Sequence, residues 1–441
     1  MNAQPRHQAE TGKPSRWWYL YLAIALAAVS LATTYGMVFD PVVQAFFATN
    51  GDSQAIAGNA MAADWSDVWR WWTGPWIQHE MYYRPLSSML FLAEGHLFGV
   101  NFQPYCMVSW AANALNVALL FLLGASLARG SRKAKLAIGT LTAALFLLAK
   151  HPEISQGPGY RPAPVGRIAS GVMPWWPVQT DIFSMLCGLL SLLLLDRYLL
   201  NGRTRYLTGA LASFVAALLF KEMALCIPLL VPLLVLYRRR DRVLTVSAWY
   251  FGLGIAFYAV RSVAAPAASG LEYHGIKTFS KLAFYLINRL TALVITGEWF
   301  PIAGSLVLLL IVLVMTWKRI EWIWTGLIAL LWLLGSAQFI GGTFGLLTIA
   351  DVLGRLGTML LFWGGLFLIV LVRDRGVSVA LVVAVVATCI PVLNRMGPHY
   401  WYWPLAFYAL LNASLLNRLY EVSFHSDAFS LIVRRSSNSS A

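Results

Sequence analysis

Apolar stretches of roughly 15 to 21 residues recur along nearly the whole chain, broken by short polar runs that hold most of its charge. A helix needs about 20 residues to cross a hydrocarbon core of about 30 Å. The pattern therefore predicts spans near 17–37, 104–128, 136–150, 178–195, 207–220, 223–237, 243–260, 301–317, 322–340, 356–372, 377–394 and 400–416. The expected architecture is an all-α polytopic membrane protein of about twelve transmembrane helices. One membrane domain, 17–416, lies between polar tails at 1–16 and 417–441, and the stretch Ser423 to Ala441, which ends Ser-Ser-Asn-Ser-Ser-Ala, is expected to be disordered. No small-residue cleavage site follows the first apolar run, so it reads as a retained anchor.

Composition agrees with the pattern. The 441 residues are 59% hydrophobic and only 12% charged, against about 25% charged in a soluble domain. The four cysteines, Cys106, Cys187, Cys226 and Cys389, fall singly inside apolar segments without CxxC spacing, which supports neither a disulfide framework nor a zinc site.

The net charge of +14 changes the picture less than its distribution does. Basic residues sit in short runs at the ends of apolar segments: Arg6, Lys13 and Arg16; Arg129, Arg132, Lys133 and Lys135; Arg197, Arg203 and Arg205; Arg238 to Arg240 with Arg242; Lys318 and Arg319; Arg373 and Arg375; and Arg418 with Arg434 and Arg435. This is the spacing that fixes membrane orientation, and nucleic acid is excluded as a partner. Every second loop is basic, which puts both termini in the cytoplasm. The segment 281–297 is apolar enough to span, but counting it would turn Lys318 and Arg319 outward, so it reads as an interfacial or re-entrant helix.

With orientation set, the remaining polar residues gather outside. The first outer loop, 38–103, carries Asp40, Asp52, Asp64, Asp67, His79, Glu80, Arg84, Glu94 and His96. Glu153, Asp181, Glu222, Glu272, Glu298 and Asp351 fall on or near the same face, and the pattern implies an outward-opening polar cavity. Within the loop, Trp65, Trp69, Trp72 and Trp76 recur at helical spacing, as expected of interfacial helices at headgroup depth. No internal repeat is visible and no Gly/Pro-broken spans pair up, which counts against a transporter.

Several residues are candidates for chemistry. Asp40, in Phe39-Asp40-Pro41, is a carboxylate fixed at the end of the first span, suited to act as a general base or simply to mark the interface. Arg84, in Tyr82-Tyr83-Arg84-Pro85-Leu86, offers a planar fork for phosphate oxygens or an ordinary interfacial charge. Lys221-Glu222 stands alone between two apolar segments, and a lysine on the outer face runs against topological bias. Asp181, following Thr180, opens its span and suits a helix cap. His151, in the loop 151–177, and His399, in the aromatic run Pro398 to Trp403, are isolated histidines, while Asp351 and Arg355 are spaced for a pair on one helix. P-loop, GxGxxG, HExxH and GxSxG signatures are all absent.

The order of these features resembles polytopic GT-C glycosyltransferases, most closely the bacterial relatives of the protein O-mannosyltransferases and of the tetratricopeptide-containing membrane mannosyltransferases, here without the repeats. The likeness runs over roughly residues 39–236: an acidic residue after span one, Tyr-Arg-Pro-Leu closing a long first loop, His151-Pro152 after span three, Thr180-Asp181 opening span four, and Lys221 to Leu225 starting span six. The resemblance implies a sugar donor on polyprenyl phosphate, a glycan or protein acceptor reached from the periplasmic side of a bacterial inner membrane, and an inverting displacement. It makes Asp40 the base and gives Arg84, Lys221, Arg355 and His399 to the donor phosphate, with Tyr83, His79, Glu80, Asp181, Glu222 and His151 in support. A divalent cation, Mg or Mn, bridging phosphate and carboxylates is compatible with this chemistry, but no spacing identifies its ligands. A polysaccharide polymerase and a transporter or lipid flippase are the alternatives.

Overall fold

A computed structural model of the chain describes residues 17–41, 45, 48, 51–78, 82–128, 131–148, 176–266, 402–407, 409, 410 and 413. The described residues are helical, with no strand among them. The helices are α1 (Trp17–Val38), α2 (Gly51–Ala62), α3 (Val68–Thr73), α4 (Pro85–Phe98), α5 (Phe102–Leu127), α6 (Arg132–Leu148), α7 (Gln179–Asn201), α8 (Thr204–Phe220), α9 (Ile227–Arg238) and α10 (Val243–Ala264).

Among the described residues, four helical segments are long and apolar enough to cross a membrane: Trp17–Gly36, Phe102–Leu127, Trp176–Asn201 and Arg240–Ala264. α1 and α10 also turn large apolar side chains outward, including Trp18, Ile24, Leu244, Trp249, Ile255 and Val263. Water disfavours such a surface and lipid tails do not. The other three apolar stretches read from this part of the sequence are shorter helices: α6 and α8 have 17 residues each and α9 has 12. A 3-10 turn at Glu222–Cys226 precedes α9, and its steeper rise per residue brings the combined segment to about 28 Å.

α7 packs along α8, α5 packs against α1, α6 and α7, and α9 packs against α10. Two close approaches depend on glycine. A Cβ at Gly139 would lie 2.6 Å from the Phe121 carbonyl oxygen on α5, and one at Gly95 would lie 2.9 Å from the Ala60 Cβ. The first lets α5 and α6 meet at backbone distance, as small residues do in membrane helix pairs. The second seats α2 on α4, with Ile56, Ala57, Ala60 and Phe91 in a small core of their own.

The loop of 38–103 is thus a folded helical unit. Its tryptophans depart from the single interfacial face that their spacing predicts. Gly74 ends α3 and Pro75 follows, so Trp76 leaves the helix and is buried at 8% exposure, as is Trp71 at 2%, while Trp65 and Trp69 stay 58% and 74% exposed. The segment 281–297 and the spans between 301 and 394 lie outside the described residues, and 400–416 is described only in part.

Candidate functional site

α4 begins with Pro85 at its first position, where a missing N–H costs nothing. The residue before it, Arg84, is held off the helix and points back toward the bundle. Its guanidinium carbon lies 4.1 Å from the centre of the Tyr82 ring and 5.0 Å from that of Trp76, and the backbone closes the cage through Trp76 N–H donating to Tyr82 O at 2.7 Å. From there Arg84 donates to Glu222 through both edges of its fork, Nε to Oε2 at 2.9 Å and Nη2 to Oε1 at 2.5 Å. Ser87, one turn into α4, donates to the carbonyl of Phe220 at 2.8 Å and so ties the loop to the end of α8.

α8 stops at Lys221, whose backbone is extended, and the 3-10 turn begins. Lys221 Nζ donates to Asp181 Oδ2 at 2.6 Å across the start of α7. Ser184 on α7 supports the turn by donating to the carbonyl of Ala217 at 2.9 Å. Two cations and two carboxylates thus meet where the loop unit, α7 and the α8–α9 turn converge. Arg84, Lys221 and Asp181 are buried at 6%, 4% and 1% exposure, and the Glu222 side chain is 22% exposed.

The electrostatics follow from this pairing. Burial pushes the Glu222 carboxyl up, but the Arg84 guanidinium outweighs it through charge and hydrogen bonding, and Lys221 adds to the effect, so Glu222 titrates at about 2. Burial disfavours the charge on Arg84, and Glu222 more than restores it, which keeps the guanidinium protonated. Asp181 sits in the first turn of α7, where the macrodipole favours a carboxylate, but no side chain caps the helix start: the carboxylate is turned to Lys221, and its Oδ1 has no hydrogen-bond partner among the described residues.

Of the residues picked from the sequence, Arg84, Lys221, Asp181 and Glu222 come together, with Tyr83 beside them. The Tyr83 phenol donates to Trp72 O at 3.0 Å, its ring lies 6.0 Å from that of Phe257 on α10, and burial pushes its phenol up. Asp40 is half-buried at the end of α1, next to Phe39, which packs on Tyr35 and Trp110. It belongs to neither of the two pairs. His79, Glu80, His151, Arg355 and His399 lie outside the described residues. No group of three or more His, Cys, Asp or Glu side chains gathers among the described residues.

Two polar groupings were not anticipated. Asn116 on α5 donates to Tyr402 Oη and to Ile182 O, both at 3.0 Å, and Tyr402 donates to Asn113 Oδ1 at 2.5 Å, which builds a buried polar layer next to Asp181. The signal for it is the pair of amides at i and i+3 inside an apolar span. At the other end of α7, buried Asp196 accepts from Arg238 Nε at 2.9 Å and from the Ser126 hydroxyl, and Arg238 Nη2 also donates to Ser126 O at 2.7 Å. A lone carboxylate between Leu195 and Arg197 was the clue.

No protein-family model, curated protein or solved structure matches the chain.

Proposed function

We propose that the chain is a multi-pass glycosyltransferase of the GT-C kind, with about twelve spans in a bacterial inner membrane. In this reading it moves a sugar from a polyprenyl-phosphate donor to a glycolipid or a secreted protein such as a pilin on the periplasmic side. The observation that carries the reading is the convergence of Arg84, from the loop after the first span, with Lys221, Asp181 and Glu222 in one buried place. Lipid-phosphate departure needs cations, and attack by a hydroxyl needs a carboxylate.

The acceptor oxygen bonds to the anomeric carbon as the bond from that carbon to the phosphate oxygen breaks. The hydroxyl proton passes to Asp40, and the leaving phosphate keeps the bonding electrons. Arg84 grips Glu222 with the two-point geometry that it would use on a phosphate, so donor phosphate and Glu222 compete for one fork. Lys221 adds a second positive charge. The configuration at the sugar inverts.

A transporter or flippase reading draws on a different observation. Buried Asp181, Ser184, Ser191 and Asp196 run along α7 from end to end. Ser184 bonds to α8, however, and Ser191 meets the Tyr250 hydroxyl of α10 at 2.9 Å, so the stripe works as bonding between helices.

The test compares lipid-linked glycans and surface glycoproteins in cells with and without the gene. One glycan species should be lost and should return with the wild-type gene but not with Asp40→Asn, at equal membrane levels of protein. Identical glycan profiles in all strains would sink the sugar-transfer reading, and full activity of Asp40→Asn would remove the base.

A further inference from the structure

Glu94 lies inside the junction between the loop unit and α7, at 3% exposure, against Gln179 at 0%. Phe91, Tyr105 and Trp176 pack round the spot. Gln179 Nε2 has two hydrogens and both are used, one on Glu94 Oε1 at 2.9 Å and one on Tyr105 O at 3.0 Å. Glu94 Oε2 and Gln179 Oε1 are left as buried atoms without a partner among the described residues. Both are acceptors when the carboxyl is ionised. Turning the amide over does not help, because it would set Gln179 Oε1 against two other acceptors. A single proton on Glu94 Oε2, turned toward Gln179 Oε1, would give both orphaned atoms a partner and pair with the existing Nε2–H···Oε1 bond as a carboxylic acid pairs with an amide.

We propose that Glu94 is a proton-binding site: it is carried as a neutral carboxylic acid paired twice with Gln179, and this pair is a proton-operated latch between α4 and the start of α7. Loss of the proton to water leaves two acceptors facing each other and removes one of the two bonds. Asp181 lies two residues beyond Gln179, so the latch holds the helix start that carries the Lys221 pair. The inference does not depend on sugar transfer.

The surroundings favour the neutral form. Among the described residues Glu94 makes no ion pair. Of the elements packed against α4, α5 presents Tyr105 and Cys106; α2 carries Asp52, which accepts from Gln78 at 2.8 Å; α3 carries the exposed Arg70; and the end of α8 leads to Lys221, held by Asp181. On α4 itself, Arg84 is on Glu222 and His96 stacks on Trp65. Burial accordingly pushes the Glu94 carboxyl up to about 8 from an ordinary 4.5, with the Gln179 hydrogen bond opposing only part of the effect. A raised value means that the contribution to stability is complete below pH 4.5 and is lost as pH rises through about 8.

The test uses the full-length protein in lipid nanodiscs, labelled with isotopic glutamate. Infrared spectra should show a protonated-carboxylic-acid carbonyl band that bleaches as pH rises from 4.5 through about 8, and this band should be missing in Glu94→Gln. The variant keeps both bonds to Gln179 without a titratable proton, so its thermal midpoint should stay level across the window while that of the wild type falls. Hydrogen exchange at 85–98 and 176–184 should speed up in the wild type, relative to the variant, as the band bleaches. A wild-type spectrum with no such band overturns the proton site, and the measurement needs no variant to fold. A ratio of wild-type to variant exchange that stays level while the band bleaches overturns the latch.

Discussion

Arg84 and Glu222 stand 138 residues apart in the chain and meet in a two-point ion pair, with the guanidinium stacked over Tyr82 and Trp76. The pair closes the loop unit onto the bundle, and both charges have left most of their water behind. Removing one partner strands the other, at a cost of about 3–5 kcal/mol for buried pairs. Arg84→Ala and Glu222→Ala are each expected to lose stability on that scale in denaturant unfolding of the purified protein. Arg84→Lys should recover little of it, because a lysine has neither the fork nor the flat face. A lysine variant as stable as the wild type would mean that charge alone matters here.

The same pair sets an acid limit. Glu222 is held at about 2, below an ordinary 4.5, so its contribution is present above pH 4.5 and is lost as pH falls toward 2. The stability gap between wild type and Glu222→Gln should therefore be constant from neutral pH down to about 4.5 and then narrow. A gap that is flat through the acid range contradicts the depressed value.

Lys221 and Asp181 separate architecture from chemistry. Either Lys221→Met or Asp181→Asn alone leaves a buried partner exposed to an apolar neighbourhood and should cost about 3–5 kcal/mol. The double variant removes both charges and should regain most of that loss. If Lys221 serves the donor phosphate, transfer stays absent in the stable double variant. Restored transfer would make the pair purely structural.

Much of the architecture was legible because a membrane leaves a coarse signature. The helices α1 and α5 to α10 fall on the seven apolar stretches read from that part of the sequence, with ends shifted by a few residues, since hydrophobic length is the property that the bilayer selects. The partners of the charges were less legible. Arg84, Lys221, Asp181 and Glu222 each stood out as polar residues in apolar surroundings, but a linear pattern does not say that Arg84 crosses to Glu222 while neighbouring Lys221 turns to Asp181. Asp181 does sit in the first turn of α7, as its place in the sequence suggests, but its side chain is claimed by a residue 40 positions away and not by the helix start. The Trp65 to Trp76 series misled in another way, because period alone ignores the break that Gly74 and Pro75 impose on α3.

Asp196 and Arg238 provide the control that the Arg84–Lys221 site needs. They form a buried pair of the same chemistry, 2.9 Å apart, with the Asp196 side chain fully buried and that of Arg238 17% exposed. Asp181 and Asp196 lie about 22 Å apart along α7, and their partners Lys221 and Arg238 bracket residues 222–237. Both pairs therefore clamp the same two pieces of chain, one at each end. A mutation at either end should cost a similar amount of stability, so lost activity at the Lys221 end is not by itself a sign of chemistry. The expected difference lies in the folded fraction. Under the proposed sugar-transfer function, the double variant Asp196→Asn with Arg238→Met should transfer at close to the wild-type rate per folded molecule, while Asp181→Asn with Lys221→Met should not transfer at all. Measuring turnover against folded protein, quantified by size-exclusion chromatography, decides between them. Equal loss at the two ends would show that activity follows the integrity of α7 rather than the charges at its first turn.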